Sequence, residues 1–280
     1  MKAHTSETQA TITPLRALAL LKEGNPRFIN NLRVNRNLLQ QANDTRDGQW
    51  PFATIVSCID SRTSAELIFD QGLGDIFSIR IAGSVVNTDI IGSLEFACQI
   101  AGSKLIAVLG HTRCSAIKEA CDHVEMGNLT ELLAKIQPAV YEENVTLDPA
   151  ERNSHNTAFA ENVAQLNVRR AVRTIVNRSY VLASLIKEGR VAVIGGMHDL
   201  ASGEVTFYDD TWVHDTASLC AVARSTGAPV IRVSAEPAVA AKTKPATAAK
   251  SVPGAVTKSD AVGLPVSVSA SMAESVGVVK

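Results

Sequence analysis

Apolar positions along the chain follow two periods. Behind Thr13-Pro14, Leu15, Leu18 and Leu21 recur at helical spacing, a cap with proline at the first helical position. A second helix is predicted to start near Pro26 and to carry Phe28, Ile29 and Leu32. Farther on, strand-length apolar runs at 52–56, 76–81 and 104–109 alternate with helical patterns at 64–70, at 88–101 and from about 115. A polar stretch over 142–155 leads to a long helical pattern at 157–187, and two more strands are predicted at 191–194 and 204–208. Strands alternating with helices predict an α/β fold: a largely parallel central β-sheet flanked by helices, with further helices at the N-terminus. Such sheets gather their chemistry beyond the carboxyl ends of the strands. The segments after Val56, Ile81 and Leu109 are therefore the places to search.

The periodic pattern fades near residue 235. From there to residue 280 the chain is mostly Ala, Val, Ser, Lys and Pro, with no aromatic residue and one leucine, whereas every aromatic lies at or before Trp212. Without large side chains a segment cannot bury enough surface to offset the entropy of ordering it. The expectation is a folded domain over 1–234 and a low-complexity, disordered tail over 235–280. With 27 Lys+Arg against 28 Asp+Glu, the net charge of −1 lacks the basic surplus that nucleic acid or an anionic membrane would favour. No apolar run approaches the roughly 18 to 20 residues that cross a bilayer, and the first residues lack the apolar stretch of a secretory signal. A cytoplasmic protein is expected. In that setting a disulfide framework is not expected of the five cysteines, and metal ligation or catalysis is the better use for any thiol that sits in a site.

The candidate chemistry sits at two predicted strand ends. After the first strand the chain reads Ser57-Cys58-Ile59-Asp60-Ser61-Arg62, and after the 104–109 strand it reads Gly110-His111-Thr112-Arg113-Cys114. Together they offer two thiolates and one imidazole, a set that binds zinc with one coordination position left open. A His-x-x-Cys pair is weak evidence alone; Cys-x-Asp-Ser-Arg is far rarer, and both fall where the fold concentrates chemistry. Free cysteines are usually buried core residues, which is the reading for Cys98, Cys121 and Cys220. His4, His123, His155, His198 and His214 lack ligand-spaced neighbours and read as surface or structural residues. A dinucleotide fingerprint is excluded because Gly72-x-Gly74 lacks its third glycine. A cysteine phosphatase would need arginine where Ser64 stands.

On these motifs the sequence resembles the β-class carbonic anhydrases. Gly74-Asp75-Ile76-Phe77, Arg80-Ile81-Ala82-Gly83, Gly196-Met197-His198-Asp199, Gly203-x-Val205 and Asn25-x-x-Phe28 extend the likeness over about 13–210. The resemblance implies reversible hydration of carbon dioxide to bicarbonate by zinc-bound hydroxide, with one Zn2+ per chain on Cys58, His111 and Cys114. It implies an Asp60–Arg62 dyad, with Asp60 a metal ligand only in a closed form, and a pocket including Gln49, Phe77 and Phe96. It also implies a homodimer or higher even oligomer in which one subunit contributes to its neighbour's site. The chain departs from the family at Ile81 for Asn, at Ser115 for Gly and at Phe96, where Tyr is frequent; these bear on pocket polarity. A relative hydrolysing carbonyl sulfide or carbon disulfide, or a non-catalytic zinc protein, are the competing readings. One subtype binds bicarbonate through a Trp–Arg–Tyr arrangement; here those positions are Ile55, Arg80 and His198, and only the arginine matches. The expectation is the open, plant-like subtype.

Overall fold

A computed structural model describes residues 3–225. The expected tail at 235–280 lies outside them. The elements run α1 (Ser6–Ala10), α2 (Pro14–Ile29), α3 (Leu38–Asp44), β1 (Ala53–Ser57), α4 (Ala65–Ile68) and β2 (Ile76–Arg80). They continue with α5 (Thr88–Glu95), extended by a π-helical turn at Phe96–Ile100, then β3 (Leu105–His111), α6 (Ser115–Cys121), α7 (Gly127–Ala134) and α8 (Gln137–Glu142). The last are α9 (Thr157–Arg178), α10 (Tyr180–Lys187), β4 (Ala192–His198), β5 (Val205–Val213) and α11 (Thr216–Ser225). No helix among the described residues is long and apolar enough to cross a membrane.

The five strands form one sheet in the order β2-β1-β3-β4-β5, parallel throughout except for β5, which runs antiparallel to β4. Every residue of β1, β3 and β4 is buried, as expected of central strands covered on both faces. On one face Val56, Ile106, Val108 and Val193 pack with Val163, Val168, Val172 and Ile175 of α9. On the other, Ile55, Leu105, Leu109 and Ile194 pack with Ala17, Leu18, Leu21 and Phe69. The register ends with Ser57 beside Arg80 and His111 beside His198, so the carboxyl ends of the parallel strands meet at one edge.

Four predicted boundaries need correction. No new helix begins near Pro26: α2 passes through it without a break, and Leu32 lies beyond its end. Tertiary contacts hold this stretch. A Cβ on Gly24 would lie 1.7 Å from the Phe69 carbonyl oxygen, so α2 and the end of α4 touch backbone to backbone. The buried Asn25 side chain donates to the Ile68 and Gly203 carbonyls and accepts from Val205 N–H. The pattern at 157–187 is two helices, because Ser179 leaves the helical conformation, caps Leu182 N–H with its Oγ and donates to Glu95. Finally, β4 extends to His198 and β5 to Val213, well past the predicted strand ends.

Candidate metal centre

Cys58 leaves β1 as the ladder ends, and His111 closes β3 three residues before Cys114 caps α6. All three side chains are buried, and their Sγ and ring-nitrogen atoms lie within 4.8 Å of one another. The two Sγ atoms are 3.9 Å apart. Each loop is pinned behind its ligand. Ser84 Oγ donates to the Leu109 carbonyl, and Asn167 Nδ2 to that of Gly83, while Thr112 N–H bonds the His198 carbonyl. Gly83 turns at φ +65°, where a Cβ would also stand 2.7 Å from Ile136 Cδ1, so glycine is needed there.

Protonation follows from neighbours. His111 Nδ1 lies 3.0 Å from the Thr112 carbonyl oxygen, which can only accept, so Nδ1 carries the proton. That leaves the Nε2 lone pair facing the two thiols, and Nε2 is a buried atom with no hydrogen-bond partner. Such an orphan would be costly unless a cation completed it. Cys58 is pulled far below the usual thiol range by its contact with Cys114, against burial. The same contact and burial push Cys114 up. One thiolate and one thiol facing an open imidazole nitrogen suit a soft or borderline divalent ion, zinc above all.

Asp60 stands at the rim, its Oδ2 4.0 Å from His111 Nε2. Arg62 grips it in a fork: Nε donates to Oδ1 at 2.9 Å and Nη2 to Oδ2 at 2.7 Å, and Arg62 N–H adds a third bond to Oδ1. The guanidinium holds Asp60 well below the ordinary carboxylate range, against the upward pull of burial. Asp60 therefore accepts hydrogen bonds and carries no proton at neutral pH. Buried Thr63 supports the turn with its hydroxyl 3.2 Å from the Cys58 carbonyl and 3.0 Å from that of Asp60.

The single chain thus brings Cys58, Asp60, Arg62, His111 and Cys114 together. The three expected pocket residues are at least partly exposed in the single chain. Gln49 is exposed before β1, Phe77 is half-buried on the edge strand β2, and Phe96 is 54% exposed at the π-helical turn. A cavity of about 10 Å³, room for a single water, adjoins His111 and Cys114 but is lined by Gly83, Ala164 and Val168, not by those three. Cys98 and Cys121 are core residues, both pushed up to about 12 by burial.

His198, read from the sequence as a surface or structural residue, is a buried neighbour of the site. It is 2% exposed, paired in register with His111, and near Phe28 of α2. Burial first, then His111, lower its pKa to about 4, and both ring nitrogens lack hydrogen-bond partners. Only strand register reveals this adjacency, since His111 and His198 are far apart in sequence.

Comparisons with known proteins agree with this geometry. Residues 53–205 match the protein family described as carbonic anhydrase. The chain is similar to "Carbonic anhydrase 2" of Mycobacterium tuberculosis, 33% identical over 205 residues, covering 70% of this chain and 93% of the relative. Among solved structures it resembles the β-carbonic anhydrase CafA of Aspergillus fumigatus, with a TM-score of 0.57 and 23% identity over 75% of this chain and 96% of that one. It also resembles tetrameric β-carbonic anhydrases of Sordaria macrospora, with a TM-score of 0.51 and 24% identity over 70% of this chain and 93% of that one.

Proposed function

The chain belongs to the β-class carbonic anhydrases, enzymes that hydrate carbon dioxide, and on that premise we propose that Cys58, His111 and Cys114 hold one zinc ion per chain with Asp60 and Arg62 as the catalytic dyad. The observation that carries the reading is the orphaned His111 Nε2, buried between two cysteines and 4.0 Å from an ionised carboxylate. When bound, zinc acidifies a coordinated water so that a nucleophile is available near neutral pH.

The remaining work falls to the chain's own groups. Asp60 accepts a hydrogen bond at the rim and so fixes which way the nucleophile's lone pair points. It is too acidic to take the proton itself. Arg62, bound to both carboxylate oxygens, keeps Asp60 ionised and holds it at the rim, where it would not itself become a ligand of the metal. That pairing supports the open form. Ile55 supports it too: fully buried and without a polar atom, it cannot hold an anion. A purely structural metal would leave the dyad without a purpose.

The pocket is completed by a second copy of the chain. Phe96 and Ile100, 54% and 72% exposed, and Ile59 at 60% are the apolar surfaces such a copy would cover. The tetrameric Sordaria macrospora enzymes support an even oligomer.

Asp60→Asn tests the dyad. The variant keeps one zinc per chain and loses about 100-fold or more in carbon dioxide hydration. Wild-type turnover in Asp60→Asn would make the Asp60–Arg62 pair a turn stabiliser only. Rates on carbonyl sulfide, measured beside those on carbon dioxide, separate the hydration reading from hydrolysis of the sulfur analogue.

A further inference from the structure

One side chain reaches the metal loop from outside it. Arg80 is the last residue of β2, in register with Ser57, and the β1–β2 ladder finishes with Ile81 N–H donating to the Ser57 carbonyl. Beyond that point Cys58, Ile59 and Asp60 have no strand on the β2 side to pair with. The Arg80 guanidinium takes over: Nε donates to the Cys58 carbonyl at 3.0 Å and Nη2 to the Asp60 carbonyl at 2.5 Å. These carbonyls belong to the residue that presents the first thiol and to the residue whose carboxylate overlooks it. The Thr63 hydroxyl lies near the same two oxygens but has a single proton to give. Arg80 is the side chain that bonds both at once, through a rigid planar fork.

We infer that Arg80 is a positioning residue for the hydration site, fixing the spacing between the Cys58 thiol and the Asp60 carboxylate by clamping the backbone between them. The inference rests on the metal centre proposed above. It gives the arginine at this position a use other than anion capture: Nε and Nη2 are spent on the loop, and an anion drawing the guanidinium away would have to break the clamp. It also makes the exposed end of an edge strand part of the site's scaffolding. Arg80 acts through Asp60 and does not touch the reacting atoms.

The test has two arms. In the metal-free full chain, hydrogen exchange over peptides spanning 57–64 should be several-fold faster in Arg80→Ala than in wild type, and unchanged in Ser78→Ala, which alters the same strand but bonds Glu66. In the zinc-loaded protein, Arg80→Ala should keep one zinc per chain and lose about 10- to 100-fold in kcat/KM, the scale of a small misplacement of a reacting group. Arg80→Lys, with one cationic centre instead of a fork, should recover part of that loss. Introduced into Asp60→Asn, Arg80→Ala should cost less than about 2-fold more, because the group it positions is already disabled. Unchanged exchange over 57–64, or an equal loss of activity with and without Asp60, would overturn the assignment. Failure of the metal reading would look different: wild-type protein would bind no zinc while the exchange difference persisted.

Discussion

Gly110→Ala joins core packing to the metal centre, since the next residue is His111. A Cβ at Gly110 would stand 2.6 Å from Val168 Cγ2 and 3.2 Å from Met197 Sδ and Cε. Met197 is flexible and can give way. Val168 cannot: it is β-branched, set within α9 and 1% exposed. The strain must therefore move the end of β3 or push α9 outward, at a cost of about 1–3 kcal/mol. Val168→Ala alone removes two buried methyls and costs about 2 kcal/mol. In the double variant the new methyl enters space that valine vacated, so the combined loss should fall short of the sum by about 1–2 kcal/mol. Urea unfolding of the metal-free chain measures all three, with an unchanged slope confirming that the unfolding reaction is the same. Zinc affinity should follow the same order, weakened in Gly110→Ala and partly regained in the double variant. Additivity within about 0.5 kcal/mol, together with unaltered zinc affinity, would refute the claim that this contact seats His111.

Three further outcomes are expected. Cys58→Ser should lose both zinc and activity while Cys98→Ala loses neither, as metal analysis and stopped-flow hydration of the same samples will show. Asp70, 3% exposed and bonded at 2.5 Å by both Arg27 and Arg36, has its pKa raised by burial but lowered more by the two guanidiniums. Its stabilisation is therefore complete above the ordinary carboxylate range and disappears as pH falls through the lowered folded value. Asp70→Asn keeps the shape and tolerates φ +44°, yet should cost about 3–5 kcal/mol at pH 7 and flatten the acid limb of stability against pH; equal urea midpoints at pH 7 would contradict this. Initial hydration rates against bicarbonate just above neutral pH should fall gradually, and a steep sigmoidal loss would show that the open subtype is wrong.

The legible parts of the sequence were those in which one local rule governed. β1 and β3 are unbroken buried runs, so hydrophobicity alone located them, and the motifs after them marked the metal loops. Local rules failed where distant contacts decide. Pro26 reads as a helix start, yet Gly24 and Asn25 fasten that turn of α2 to Phe69, Ile68 and Gly203. Ser179 reads as one more helical residue, but its bond to Glu95 stabilises a break. The short helices α3, α7 and α8 went unpredicted because few turns give little periodicity to detect. His198 was legible as a motif position and invisible as a neighbour of His111, because strand order brings them together. Gln49 and Phe96 mark the opposite limit: their place in a pocket came from resemblance, and a single chain leaves them on its surface.

The central claim is that one zinc on Cys58, His111 and Cys114 turns this fold into a carbon dioxide hydratase. Titrating the metal-free protein with zinc while recording the initial rate of carbon dioxide hydration tests it most directly. The account predicts a linear rise that breaks sharply at one zinc per chain, with no such rise in Cys58→Ser. A rate independent of added zinc, or a fully loaded protein that hydrates no faster than buffer, would contradict it.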